Sequence, residues 1–164
     1  TDADARGLIG AFIAARRPRK WEEGCTDALM AMIPANYPGV IQLAYSKIKF
    51  AEDASLAALK GPLRDRIEDA FEDRYYIQFD RRFARYGEDE RARANRLFKA
   101  IAAAPEGRID FDRAAAMLSA TGSPEDDQDG RELLDLLHSD GFITPSRSRG
   151  VAYSSGLVSA WRSD

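Results

Sequence analysis

Cysteine and histidine are nearly missing from this chain: Cys25 and His138 are the only residues of their kinds. One cysteine excludes an internal disulfide, and a reducing cytoplasm is the expected compartment. The pair is also too few for a metal site of the usual His/Cys kind. A Ser-His-Asp triad would have to use His138, which falls on a leucine-rich helix and reads as a helix-end residue. No Gly-rich phosphate loop of the Walker or dinucleotide type occurs. Asp126-Asp127-Gln128-Asp129-Gly130 resembles a calcium loop only superficially, because it lacks the alternating ligands and the closing Glu. Paired carboxylates are plentiful but fall on charged helix faces. β-Branched residues are sparse while Ala, Arg, Leu and Asp abound, which favours helix. The longest apolar run, Leu8 to Ala15, is too short for a bilayer and contains Gly10, so no membrane partner is expected. The acidic start, Thr1-Asp2-Ala3-Asp4, is no signal peptide. Thr1 stands in a helix cap where an initiator methionine would be, so the chain is expected to continue upstream.

What is present describes a folded helical protein. A length of 164 residues holds one domain or two small ones. Hydrophobic content of 45% beside 31% charge argues against disorder. The net charge of −3 gives no global attraction to nucleic acid or anionic membrane.

Thr1 or Asp2 can cap a first helix with Leu8, Ile9, Phe12 and Ile13 on one face. Pro18 ends it within the basic run Arg16, Arg17, Arg19 and Lys20. That run reads either as a solvated helix end whose cations suit the dipole, or as a contact for phosphate or an acidic partner. A second helix starts at Thr26 or Asp27, with Leu29, Met30 and Ile33 inward. After the turn Asn36-Tyr37-Pro38-Gly39, a third carries Val40, Ile41, Leu43, Ala44 and Ile48. The longest periodic segment follows Gly61-Pro62. Leu63, Ile67, Phe71, Tyr75, Phe79 and Phe83 form an unbroken i, i+4 series, with acidic residues early and Arg74, Arg81, Arg82 and Arg85 late. Its aromatics could be a base-stacking strip, but helical spacing favours core.

The rest of the chain reads as helix, short strand (Arg108 to Asp110), helix, helix, hairpin and last helix. Leu133, Leu134, Leu136 and Leu137 give the third of these helices its apolar face, and Ser123-Pro124 opens its region. Asp140-Gly141 stops it. Phe142-Ile143-Thr144 and Val151 to Ser154 are strands around a turn from Pro145 to Gly150. This order is that of a winged helix. The fold class expected is therefore mainly α: a lid-like helical bundle over 1–61, a long connecting helix over 62–87, and a winged helix with a small β-wing over 88–164.

Winged helices suggest DNA, and electrostatics test the suggestion. The recognition helix and its approach carry Glu125, Asp126, Asp127, Asp129, Glu132, Asp135 and Asp140 against Arg131 alone. Such a segment repels a phosphate backbone, and side chains that read base edges are nearly absent from it. Only Arg147 and Arg149 in the wing suit phosphate. Protein contact is the better expectation.

Three motifs carry a family resemblance. Asn36-Tyr37-Pro38-Gly39-Val40-Ile41-Gln42 is similar to the G-x-P-x-x-x-Q signature that opens a lid helix in AAA+-related ATPases of the STAND type, with Asn36 where glycine is usual. Leu137-His138-Ser139-Asp140-Gly141-Phe142-Ile143 is similar to their L-x-x-D-G-[FY]-[LI]. The ending resembles their closing Tyr-to-Trp motif through Tyr153, Ser155, Leu157 and Trp161. The resemblance implies the C-terminal region of a P-loop ATPase. Its ATP and Mg would bind an upstream NTPase domain, with Asn36, Tyr37 and Pro38 near the nucleotide. The winged helix would be a regulatory or assembly module for an unidentified protein partner. This chain alone would hold no cofactor and catalyse nothing. The alternatives are a winged-helix transcription regulator on DNA, or an adaptor indifferent to nucleotide.

Overall fold

The structure, a computed structural model, describes residues 1–120 and 127–162. It is mainly helical with one three-stranded antiparallel sheet among the described residues. The chain divides into two compact units, Thr1–Ile77 and Gln78–Asp164. The expected opening at Ser123-Pro124, the Glu125 and Asp126 carboxylates and the Asp127 side chain lie outside the described residues.

In the N-terminal unit, α1 (Asp2–Ala15) begins at a capping box between Thr1 and Asp4. It buries Ala5 and Ile9, while Leu8, Phe12 and Ile13 are half-buried. Phe12 stacks on Tyr45 at 5.1 Å, and the Tyr45 hydroxyl donates to the Phe12 carbonyl. α2 (Cys25–Met32) starts slightly before the Thr26 or Asp27 cap expected from sequence, because Gly24 turns the chain at φ 86°. α3 (Pro38–Ile48) buries Val40, Ile41, Ala44, Tyr45 and Ile48, with Pro38 in its first turn. α4 (Leu56–Leu59) is capped by the Ser55 hydroxyl, and α5 (Pro62–Phe71) packs on α3. The series after Pro62 is not uniformly α-helical. Glu72–Tyr76 forms a π-turn before α6 (Ile77–Phe83). A π-turn is wider than an α-turn, so it rotates the apolar stripe relative to the i, i+4 series that sequence alone suggests.

The C-terminal unit contains α6 from Gln78 onward. Then come α7 (Glu88–Ala103), β1 (Arg108–Ile109), α8 (Phe111–Leu118), α9 (Asp127–Ser139), β2 (Ile143–Ser146), β3 (Gly150–Tyr153) and α10 (Gly156–Trp161). The sheet order is β1-β3-β2, both pairings antiparallel. Asp110 caps α8 by accepting from the backbone of Asp112 and Arg113. The hairpin turn is tighter than expected, because Pro145 pairs with Val151 and Ser146 with Gly150. Proline is tolerated there since β2 is an edge strand. At Gly150 a Cβ would stand 2.3 Å from the Ile109 carbonyl oxygen, and φ is +80°, so only glycine fits.

The core of this unit is aromatic. Phe142, fully buried, lies 5.4 Å from Trp161, 5.8 Å from Phe83 and 6.1 Å from both Phe79 and Phe98. The Trp161 indole donates to Asp80 at 2.9 Å. Phe83 and Tyr86 are buried, so these two rings serve as core and not as a stacking strip. The Tyr86 hydroxyl donates to the Asp140 carboxylate at 2.8 Å, and Arg82 donates to the Asp140 carbonyl at 3.0 Å. Burial, then the hydrogen bond to Asp140 and the charge of that carboxylate, pushes the Tyr86 phenol well above its ordinary value. This anchorage holds the Asp140-Gly141 turn, with Gly141 at φ 80°.

Candidate functional site

Helix α9 offers the first candidate surface. Leu133, Leu134 and Leu137 are buried, but Leu136 is 45% exposed. The expectation that all four leucines face inward is corrected: Leu136 lies two residues from Leu134, hence about 200° round the helix at 3.6 residues per turn. Glu132, Asp135 and His138 are exposed with it. Along its sequence α9 carries Asp127, Asp129, Glu132 and Asp135 against Arg131 alone.

Two features fix α9 in place. Arg93, buried on α7, donates to the Leu118 carbonyl and to Asp129 at 2.6 Å each, while its Nε lies 3.0 Å from Asp89. The Ala120 backbone N–H and then the Arg93 guanidinium hold the Asp129 carboxyl below the usual range. Its stabilisation is complete above the unfolded carboxylate pKa and disappears as pH falls through the lowered folded value. Beside this, Gly130 meets α8 so closely that a Cβ would stand 2.3 Å from the Ala115 carbonyl oxygen.

The hairpin turn exposes Arg147 and Arg149. The Arg147 guanidinium lies 6.0 Å from the Phe111 ring centroid, and the Arg149 backbone N–H donates to Ser146 at 3.2 Å. These are two exposed cations at one turn.

In the N-terminal unit, Asn36, Tyr37 and Pro38 form the exposed entry to α3. Asn36 donates to Asp2 at 2.5 Å, and Tyr37 is 52% exposed. The basic run is largely engaged in local structure. Arg17 donates to the Trp21 carbonyl at 2.6 Å, Lys20 donates to Asp53 at 3.1 Å, and the Arg19 carbonyl accepts from Ala54. Arg16 lies 4.2 Å over the ring of Phe50. Asp53 also accepts from the Ser55 backbone at 2.9 Å. Those Ser55 bonds first, and Lys20 second, hold its carboxyl at about 2. The lowered value stabilises the folded unit above the unfolded pKa of about 4, and the effect is lost as pH falls toward about 2. Asp53→Asn is expected to flatten that part of the acid limb in a pH titration followed by circular dichroism. An unchanged limb would remove Asp53 from the account.

Sequence reasoning missed Phe50. It is 64% exposed, has the Lys49 ammonium 4.9 Å from its centroid, and borders a groove of about 830 Å³. Lys47, Arg66, Glu52, Asp53 and Leu63 also line the groove. The available signal was an aromatic placed two residues beyond Ile48, the last buried position of α3, where the stripe has already turned away.

Among the described residues no group of His, Cys, Asp and Glu could hold a metal ion, and no helix is long and apolar enough to cross a membrane. No family model, curated protein or solved structure matches the chain.

Proposed function

We propose that the C-terminal unit is a winged helix that contacts protein. We further propose that the chain is the lid and winged-helix region of a P-loop ATPase of the STAND/AAA+ kind, linking nucleotide state to partner binding or assembly. The acidic exposed face of α9 carries the first proposal. Element order α7-β1-α8-α9-β2-β3-α10, with sheet order β1-β3-β2, supports a winged-helix reading. In that reading α9 is the presented helix. The exposed carboxylates of Glu132 and Asp135 oppose a phosphate backbone, and half-exposed Leu136 suits an apolar protein contact.

The nucleotide part rests on the motif resemblance from Asn36 to Gln42 and from Leu137 to Ile143. It assigns ATP and Mg to an upstream NTPase domain, with Tyr37 and Pro38 at the nucleotide edge. A lid helix touched by nucleotide can bias the position of what is packed on it, the usual basis of a two-state switch. The purified chain is expected to show no ATP turnover, and measurable hydrolysis would overturn the assignment. Reading the residues encoded ahead of Thr1 tests it independently: a phosphate loop followed by an acidic strand end supports it, and their absence removes it. Exposed Arg147 and Arg149 favour one second reading, a duplex held through the wing.

A further inference from the structure

The groove on the N-terminal unit and the exposed face of α9 are opposite in charge and alike in carrying an exposed apolar side chain. Arg16 and Lys49 lie at the Phe50 ring, and Lys47 and Arg66 line the groove. Of the two carboxylates there, Asp53 is already engaged by Lys20 and Ser55. α9 presents Glu132 and Asp135 on the face that bears Leu136.

We infer that this chain self-associates head to tail. The acidic face of α9 in one copy seats Leu136 beside Phe50 in the groove of the next, with Glu132 and Asp135 against Lys47, Lys49 and Arg66. Contact between unlike surfaces is heterologous, so growth passes beyond a dimer unless a ring closes. A single helix face buries less than the roughly 1,600 Å² of a standard stable interface, so association is weak. Salt screens it. The inference rests on α9 being a protein-contact helix, and the two fail on different readouts. Salt-sensitive duplex binding defeats that reading, whereas a concentration-independent mass defeats only the self-association.

The test is sedimentation equilibrium of the whole chain from about 10 μM to about 1 mM, the range in which weak association is populated. The weight-average mass is expected to rise above 18.2 kDa with concentration and to fall back with added salt. One variant carries Glu132→Ala, Asp135→Ala and Leu136→Ala; the other carries Lys47→Ala and Phe50→Ala. All five positions are exposed, so both variants are expected to keep the wild-type circular dichroism spectrum. Each alone is expected to be monomeric. Their equimolar mixture is expected to form a dimer and nothing larger, because one intact groove and one intact helix face remain. A mass of 18.2 kDa for the wild type at every concentration overturns the inference. So does association that survives in both variants, or a mixture that stays monomeric.

Discussion

Phe142→Ala is expected to destabilise the C-terminal unit by about 3–5 kcal/mol, the range for emptying a fully buried phenylalanine site. The ring is wholly buried and has Phe79, Phe83, Tyr86, Phe98 and Trp161 as ring neighbours. These side chains come from α6, the turn after it, α7 and α10, so a cavity there weakens several contacts at once. Rings fixed by one another cannot collapse easily, which places the cost toward the upper end of the range. A urea melt followed through Trp161 fluorescence, in a Trp21→Phe background that leaves one indole, measures it. A loss below about 1 kcal/mol, less than one ordinary point substitution, would mean that this cluster is not the core.

Gly130→Ala is expected to destabilise the same unit by about 1–3 kcal/mol or somewhat more, the cost of overpacking. Its sign is informative. In an open helix the same change stabilises by about 1 kcal/mol, because glycine has more backbone freedom to lose. Here the new methyl would meet the Ala115 carbonyl oxygen at 2.3 Å and the Ser119 nitrogen at 2.9 Å. Both are backbone atoms, so relief requires α8 and α9 to separate, and with them the Arg93 bonds to Leu118 and Asp129. A thermal melt decides it. A higher midpoint for the alanine variant would show that the two helices do not approach this closely.

Features set by short-range chemistry were legible in the sequence. The Thr1 cap and the Asp140-Gly141 stop each depend on a few neighbouring residues. The hairpin followed from the same local signals, although its strands reach further into the turn than expected, to Ser146 and Gly150. What escaped depends on partners distant in sequence. Arg93 lies in a charged stretch that looks solvated, and its burial comes from Leu118 and Asp129. Gly130 has its reason only in the packed chain, where α8 lies against it. Leu136 belongs to a leucine run yet points away from the stripe, and Phe50 gains its meaning from Arg16 on another helix end. The candidate surfaces were therefore half legible: the acidic character of α9 was plain, but its exposed leucine and the complementary groove required the packed chain.

The measurement that bears most directly on the proposed function is a fluorescence-anisotropy titration of duplex DNA with the whole chain at about 50 mM and about 200 mM salt, a span over which phosphate contacts lose most of their strength. The acidic face of α9 predicts no rise in anisotropy at either salt. Binding that is strong at low salt, falls steeply at high salt and is lost in Arg147→Ala with Arg149→Ala would contradict it, and would make the hairpin turn a nucleic-acid contact.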